Sequence, residues 1–344
     1  HKNLMNKRIK WGGLGILLLL IIVTIGFIIN TLFYTPFTAN NFHIYIDSDD
    51  NIDSVKSKIG SNITDDKVFI FEMLSKSMKY RNNIRTGKYS INKDQNAIEV
   101  LRTLRGGMQV PVKVRIPQAR NIFIIAGKVS KELMLDSCEL AAFFNKQNWC
   151  TELNKDSILL SCMFIPNTYE MYWDVSVDQF MKRIFREHHT FWNKDRLLKA
   201  EKIGLSTNEV SILASIVECE TNNNDEKPII AGMYLNRLKL GMKLQADPTV
   251  KFALQDFSLK RILHKHLEID SPYNTYIYKG LPPGPITIPS IKSIDAVLNA
   301  QSHNYLYMCA KEDFSGKHNF AATYTEHLRN AKRYTSALNK KKIK

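Results

Sequence analysis

A continuous apolar run from Gly12 to Phe33 constrains this chain more than any other feature. The run contains no charged residue, and its 22 residues would span about 33 Å as a helix, enough to cross the core of a bilayer. Cations precede the run, and no Asp, Glu, Lys or Arg follows it until Asp47. The positive-inside rule therefore predicts a single transmembrane helix over residues 12–34, with residues 1–11 in the cytoplasm.

The predicted topology places the chain after about residue 35 on the outer side of the membrane. A cleaved signal peptide is the alternative, but the run is long for one and no clear small-x-small cleavage site follows it. Cytoplasmic nucleic acid would meet only residues 1–11, which argues against nucleic acid as a partner.

The formal net charge is +15, and about half of this excess lies at the two ends of the chain. The terminal cations are Lys2, Lys7, Arg8, Lys10, Lys340, Lys341, Lys342 and Lys344. Basic segments of this kind favour an anionic lipid surface or an anionic polymer, and general solubility is the alternative explanation.

The five cysteines do not indicate a metal site. None forms a Cys-x-x-Cys pair, and no His lies at zinc-finger spacing from one. We therefore expect no metal and no cofactor. Whether disulfides form among Cys138, Cys150 and Cys162 in an exported domain stays open.

The exported part divides into a small module and a larger domain. Alternating apolar residues and helical spacing predict a β-α-α-β-α-β unit over residues 42–116, which has no catalytic cluster and is typical of a binding or spacing module. Mixed helix and strand signals continue over residues 117–338, and a basic tail follows over residues 339–344. The predicted fold class is α+β, behind the single N-terminal transmembrane helix.

The clearest candidate for chemistry is Glu218. Ser206 and Glu209 fit a capping box that begins an apolar helix, and Glu218 lies near its end, four residues after Ala214. A carboxyl beside apolar side chains is penalised when ionised, so its pKa is expected to rise toward the range that a general acid needs. The structural alternative is a charged helix end that faces water.

Three later segments combine aromatic and polar side chains where loops or helix ends are expected. Asp247-Pro248 is a good N-cap and first-turn proline for a third helix, and Leu281–Pro285 is a rigid proline-rich loop. Aromatic faces, amides, acids and a rigid wall suit a sugar-polymer cleft. The residues expected to contact such a substrate are Asn236, Arg237, Gln245, Asp247, Thr249, Tyr273, Asn274, Tyr276 and Pro283.

In combination, these motifs resemble the YceG-like family, whose known members are endolytic murein transglycosylases of the MltG type. The resemblance covers roughly residues 42–335 and rests on five strings in one order and one upstream segment. These are Leu213–Thr221, Asn236-Arg237, Leu244–Thr249, Tyr273–Tyr276 and Gly280–Ile286, preceded by Phe164–Glu170. The chain departs from the pattern at Asn167, where Asp is usual, at Gln118, where Glu is usual, and at Cys219, where Lys is frequent.

The resemblance implies a specific enzyme. Glu218 would be the catalytic glutamate of a lytic transglycosylase, which cuts the β-1,4 bond between N-acetylmuramic acid and N-acetylglucosamine without water and leaves 1,6-anhydro-muramic ends. Such an enzyme acts on nascent strands, terminating or trimming glycan polymerisation, from an anchor in the bacterial inner (cytoplasmic) membrane with its catalytic domain periplasmic or extracellular. The module over residues 42–116 would be LysM-like, and cell-wall synthases would be candidate partners.

The residue chemistry is compatible with this implication. One glutamate can protonate the leaving oxygen and then accept a proton from the C6 hydroxyl of the same sugar, with Glu220, Asp247 or Tyr276 supporting charge or orientation. A hydrolase would need a second acid, such as Asp247, to hold a water. A further alternative is a non-catalytic, membrane-tethered protein that binds peptidoglycan or acts as a scaffold. The basic exported part would suit the carboxylates of peptidoglycan stem peptides and anionic lipid.

Overall fold

The structure is a computed structural model that describes residues 2–145, 157–259 and 261–340. The chain divides into two compact units, His1–Lys113 with Glu170–Asp174 and Val114–Tyr169 with Val175–Lys344. Cys150, one of the three cysteines considered for disulfides, lies outside the described residues.

The apolar run forms a long helix, as the sequence predicts. Helix α1 covers Lys2–Ile29 and continues as a short π-helical segment over Asn30–Tyr34. The stretch Gly13–Tyr34 is long and apolar enough to cross a membrane, and none of its most apolar window is buried in the fold. The apolar side chains on this helix therefore have no protein core to enter, which is the condition that a membrane-spanning segment meets.

The first unit forms a small core between two strands and three helices. Its elements are β1 (Phe42–Ile46), α2 (Ile52–Gly60), α3 (Asp65–Ser77), β2 (Gly87–Ile91) and α4 (Ala97–Gly106). The strands are antiparallel with Ile44 opposite Tyr89, and both side chains are buried. Asn51 and Asn96 form capping boxes at the starts of α2 and α4, so the local sequence defines where these helices begin.

The predicted third strand of this module belongs to a different sheet. Strand β3 (Val112–Ile116) pairs with β4 (Asn167–Met171), whereas β1 pairs with β2. The predicted β-α-α-β-α-β order is confirmed over residues 42–116, but its last strand pairs outside the module. Periodicity identifies a strand with buried alternate residues, but it does not identify the strand's partner. The likeness of the module to LysM stays a prediction.

The second unit is mainly helical. After β3 its helices are α5 (Ile122–Val129), α6 (Ser137–Asn145), α7 (Val177–Phe191), α8 (Lys194–Ile203), α9 (Thr207–Glu220), α10 (Lys227–Lys239), α11 (Asp247–Leu254), α12 (Ile291–Leu298) and α13 (Tyr324–Lys340). Between α12 and α13 an antiparallel pair forms from β5 (Tyr307–Ala310) and β6 (His318–Ala321).

Helix α9 is the central element of this unit. Every residue from Val210 to Val217 is buried, and α9 packs against α10 and α12. Burying one large aliphatic side chain contributes about 1.5–3 kcal/mol, so the eight-residue buried stretch fixes the helix firmly in the core. The predicted capping box of Ser206 and Glu209 is confirmed at its start.

The predicted N-cap of helix α11 is wrong. Helix α11 is preceded by Ala246 as its N-cap, because the carboxylate of Asp247 is engaged elsewhere and accepts a hydrogen bond from the Tyr276 hydroxyl at 2.6 Å. Helix α5 ends at Val129. Leu133 and Leu135 are buried beyond this end, at a spacing of two residues that does not continue the helical face.

Gly232 allows α10 to pack closely against the chain that follows α12. A Cβ atom at this position would lie 2.3 Å from the carbonyl oxygen of Gln301 and 2.8 Å from His303 Nε2. The Gly232→Ala variant should therefore lose about 1–3 kcal/mol of stability to overpacking, despite the roughly 1 kcal/mol gain in helix propensity. We expect a melting temperature lowered by several degrees in the detergent-solubilised chain.

Gly127→Ala is the matched control, because Gly127 is also helical and a Cβ atom there meets nothing within 4 Å. This variant should be neutral or slightly more stable. Equal melting temperatures for the two variants would contradict the close contact at Gly232.

Candidate active site

Glu218 lies in the last turn of α9, where the buried stretch of the helix ends. Val217 is fully buried, the Glu218 side chain is 16% exposed, and Cys219 is exposed. The apolar sequence of α9 thus places one carboxyl group at the boundary between the core and the surface.

Three side chains and one backbone amide hold this carboxylate. Lys227 Nζ, at the start of α10, lies 3.0 Å from Oε1. Ser290 donates to Oε2 from its hydroxyl at 2.5 Å and from its backbone N–H at 2.9 Å, and the Ser293 hydroxyl donates to the same oxygen at 2.7 Å. Ser290 is also the N-cap of α12, so the carboxylate lies at a helix N-terminus, where negative charge is stabilised.

These contacts reverse the expected pKa shift of Glu218. Burial is the largest influence and raises the pKa, but the hydrogen bonds from Ser290, Ser293 and Lys227 together outweigh it, and the pKa lies below its ordinary value. The expectation of a raised pKa is therefore wrong for the unliganded protein. The sequence shows the apolar neighbours within α9, but the serine donors come from a segment more than seventy residues later.

A cleft with a volume of about 1060 Å³ opens beside Glu218, within the second unit. Asn222 and Asn224 line it after the end of α9, and Ser290 and Lys292 line it at the start of α12. The cleft is therefore large enough to accept several sugar rings next to the held carboxylate.

Two of the residues at which this chain departs from the family pattern also line this cleft. Gln118, just after β3, and Asn167, the first residue of β4, are both exposed there. Both are neutral amides at positions where a carboxylate is usual in the family pattern. The cleft of this chain consequently carries less negative charge than that pattern implies.

A second carboxyl cluster surrounds Glu220. Its Oε1 accepts a hydrogen bond from the Tyr234 hydroxyl at 2.6 Å, and the linked pair of Asp247 and Tyr276 lies close enough to influence the same group. Burial raises the pKa of Glu220 to about 7; the Tyr234 hydrogen bond opposes this shift and the charge of Asp247 adds to it. Asp247 and Tyr276 therefore gather around Glu220, and neither lines the cleft beside Glu218.

Asn236 and Arg237, two of the residues expected to contact sugar, also hold the fold together, and sugar contact by them stays a prediction. Arg237 is buried and donates to the carbonyl oxygens of Leu306 at 2.6 Å and Leu244 at 2.7 Å. Asn236 donates to the carbonyl oxygens of His303 and Tyr305. These side chains hold the loop after α10 and the segment that precedes β5. Their position in the sequence does not reveal this role.

Thr249 and Asn274 have no exposed surface, which contradicts the direct sugar contact predicted for them. The Thr249 hydroxyl is 2.8 Å from the Thr275 hydroxyl and donates to the Ala246 carbonyl. Asn274 donates to the carbonyl oxygens of Leu267 and Ile269. All of these groups serve to shape the loop, and none is left for a ligand.

The other three predicted contacts are accessible, but they do not line the Glu218 cleft. The Tyr273 ring packs against Phe252 with centroids 4.7 Å apart. Gln245 is exposed and has a positive φ of 52°, and Pro283 is exposed beside a separate surface cavity of about 620 Å³. Sugar contact by Gln245, Asp247, Tyr273, Tyr276 and Pro283 stays a prediction.

Lys227, Ser290 and Ser293 were not identified from the sequence. Lys227-Pro228 at a helix start resembles any helix N-terminus, and Ser290 carries only a capping signal. Among residues 2–145, 157–259 and 261–340, no group of three or more His, Cys, Asp or Glu side chains could hold a metal ion.

Ser293→Ala should raise the pKa of Glu218, because it removes a donor that favours the carboxylate. The depressed pKa stabilises the fold at neutral pH, and this stabilisation disappears as the pH falls through the folded-state value. The variant should therefore be less stable than wild type by about 1 kcal/mol near neutral pH, and by less in acid. Thermal unfolding measured over a pH series tests this.

Ser211→Ala is the matched control. Ser211 is equally buried, lies on α9 and donates to the Thr207 carbonyl rather than to Glu218. Its stability difference from wild type should not depend on pH. A pH-independent difference for Ser293→Ala would contradict the assigned hydrogen bond.

The chain is similar to known proteins over most of its length. The YceG-like family matches residues 44–333. An endolytic murein transglycosylase of Bacillus subtilis is 27% identical over 322 residues, covering 87% of this chain and 86% of that protein. An endolytic murein transglycosylase of Streptococcus pneumoniae is 27% identical over 293 residues, covering 76% of this chain and 53% of that protein.

The fold also resembles a solved structure. The crystal structure of a yceG-like protein from Listeria monocytogenes aligns with a TM-score of 0.56 at 26% sequence identity. The alignment covers 84% of this chain and 98% of the Listeria chain.

Proposed function

The chain belongs to the YceG-like family, and we propose that it is an endolytic murein transglycosylase that cleaves the glycan strands of peptidoglycan. One observation carries the proposal. A single carboxyl group, that of Glu218, is held by donors on two other helices at the edge of a cleft of about 1060 Å³. This is the group that a lytic transglycosylase needs, since its reaction requires one acid that later acts as a base.

In the proposed reaction, Glu218 acts on the β-1,4 bond between N-acetylmuramic acid and N-acetylglucosamine. Its carboxyl proton goes to the glycosidic oxygen as the bond from that oxygen to C1 breaks. The resulting carboxylate then takes the proton of the C6 hydroxyl of the muramic acid, and O6 bonds to C1. The products are a free hydroxyl on one strand and a 1,6-anhydro end on the other, without water.

The first step needs a protonated Glu218, whereas the unliganded site favours the carboxylate. Burial is already the strongest influence on this pKa and acts upward. A glycan strand seated in the cleft excludes more water from the carboxyl, so binding itself shifts Glu218 toward the acid form. Lys227, Ser290 and Ser293 then stabilise the carboxylate that remains after proton transfer, and they keep it oriented for the second step.

The N-terminal helix gives this activity a location. We place Gly13–Tyr34 across the cytoplasmic membrane with its basic N-terminal side in the cytoplasm, so that the second unit acts outside on strands close to the membrane. Nascent strands are then the accessible substrate, and their synthases are the expected neighbours. The first unit, with its small core and two-stranded sheet, serves as the spacer or glycan-binding module between the anchor and the site.

A hydrolase acting on the same bond is the second candidate. Glu132 lines the same cleft as Glu218 and provides the second carboxylate that a hydrolase would use to hold water. Asp247, the second acid expected from the sequence, does not line this cleft. Glu132 already accepts a hydrogen bond from the Arg115 backbone N–H at 2.8 Å, which favours a structural role for it.

Glu218→Gln should lower the rate of glycan cleavage by roughly 10²–10⁴-fold, because it removes the general acid while keeping the shape of the side chain. The full chain is incubated with purified sacculi, and the products are identified by mass spectrometry. Wild type should release fragments with 1,6-anhydro ends, whereas a hydrolase would release reducing ends. Substantial residual cleavage by Glu218→Gln would contradict the role of Glu218.

Glu220→Gln is the matched control, since Glu220 is two residues away on the same helix and bonds to Tyr234. We expect this variant to stay within a few-fold of wild type. Glu218→Gln leaves the buried ammonium of Lys227 unpaired, at a cost on the order of 2–3 kcal/mol, so its folding is checked by circular dichroism. The double variant Glu218→Gln with Lys227→Met removes both charges and should be inactive but better folded.

Lys227→Met should move the pH dependence of cleavage. The free enzyme needs protonated Glu218, so kcat/KM falls as the pH rises above the Glu218 pKa. Removing the adjacent ammonium raises that pKa, and the descending limb of kcat/KM should move to higher pH. An unchanged pH profile in a folded Lys227→Met protein would contradict the influence of the Lys227 ammonium on the Glu218 pKa.

A further inference from the structure

The cleft beside Glu218 is strongly cationic in a way that its catalytic group does not require. Lys227 is paired with Glu218, but four more basic residues line the cleft: Arg115, Lys128, Lys131 and Lys292. All four are at least partly exposed, whereas Lys227 is buried. Positive charge at this cleft therefore exceeds what is needed to hold one carboxylate.

Acidic residues do not cancel this charge. Among residues 2–145, 157–259 and 261–340, the one acid that lines the cleft besides Glu218 is Glu132. In the same described part of the chain, none of Lys128, Lys131 and Lys292 forms an ion pair.

The amides of Gln118 and Asn167 are neutral, so they do not reduce the excess of positive charge at the cleft. In a cleft with low-dielectric walls, uncompensated cations raise the local concentration of an anionic ligand. The four basic side chains thus form an electrostatic site that is open to a partner.

The sugar rings of the proposed substrate do not provide that partner, because their hydroxyl and N-acetyl groups are neutral. Hydroxyls are recognised by amides, acids and backbone groups, and ammonium or guanidinium groups gain most from carboxylates or phosphates. The stem peptide attached to each muramic acid carries carboxylates. It also projects away from the glycan, so its charges can reach the walls of the cleft while the scissile bond lies at Glu218.

We propose that Arg115, Lys128, Lys131 and Lys292 form a subsite for stem-peptide carboxylates, which makes the enzyme selective for strands that carry charged peptides. This inference rests on the proposed function, since it names a part of that substrate. Arg115 comes from β3, Lys128 and Lys131 from the end of α5 and the turn after it, and Lys292 from the helix whose N-terminus holds Glu218. The subsite and the reacting group thus share one cleft.

The test compares two forms of the same sacculi. In one form the peptide carboxylates are converted to amides with carbodiimide and ammonia, which removes charge but keeps the glycan and the length of the peptide. The full chain in detergent should bind the untreated sacculi several-fold more tightly in co-sedimentation, and KM for cleavage should be about 3- to 10-fold lower on untreated material. The difference should shrink as salt rises, because exposed charges are screened.

Lys128→Glu with Lys131→Glu should abolish this preference, so that KM becomes the same on untreated and amidated sacculi. Lys202→Glu with Lys239→Glu is the matched control. Lys128, Lys202 and Lys239 all lie in the last turn of a helix, and Lys202 and Lys239 are exposed outside the cleft. The control pair changes the net charge of the protein by the same amount, but it lies outside the cleft. It should therefore retain the full preference for untreated sacculi.

Phosphate polymers on the sacculi are a second source of anions. Removing these polymers with hydrofluoric acid distinguishes binding to phosphate from binding to the stem-peptide carboxylates. Binding that survives stripping and falls on amidation supports the proposal, whereas binding lost on stripping overturns it. Equal binding and equal KM on untreated and amidated sacculi also overturn it, while cleavage itself leaves the proposed function intact. If no sacculi are cleaved, the proposed function fails, and the co-sedimentation comparison still decides whether the subsite exists.

Discussion

The ion pair and hydrogen bonds at Glu218 are the interaction on which the site depends. They join three helices at one carboxylate: α9 contributes Glu218, α10 contributes Lys227, and the start of α12 contributes Ser290 and Ser293. A buried ammonium needs a counter-charge, and a helix N-terminus favours one, so the proposed reacting acid also stabilises the fold. The same contacts give the site an electrostatic character opposite to that of an isolated carboxyl in an apolar pocket.

Local sequence signals were sufficient for most elements that position this site. The capping box at Ser206 and the buried stretch up to Val217 both follow from spacing, and together they place Glu218 at the helix end. What the sequence did not provide was the environment of the carboxyl. Its donors come from α10 and α12, and only the packing of these helices on α9 brings them together. Pairing of distant segments is the step that periodicity leaves undetermined, as the partner of β3 also shows.

The predicted sugar-binding residues illustrate a second limit. Polar residues such as Arg237, Thr249 and Asn274 stand out in the sequence, but a tight loop needs polar side chains to satisfy its own backbone. Composition alone does not separate this use from ligand binding. The residues that do line the cleft, including Lys128 and Lys131, lie on an ordinary helix end and the turn after it, where no motif distinguishes them.

The bond from the Ser290 amide to Glu218 has a mechanical consequence. That amide lies at the first turn of α12, and its acceptor is the group that gains and loses a proton in each proposed cycle. A neutral carboxyl is a weaker acceptor than a carboxylate, so the proposed protonation would weaken the hold on the start of α12, and deprotonation would restore it. The stability of this helix end would thereby change once in each proposed catalytic cycle.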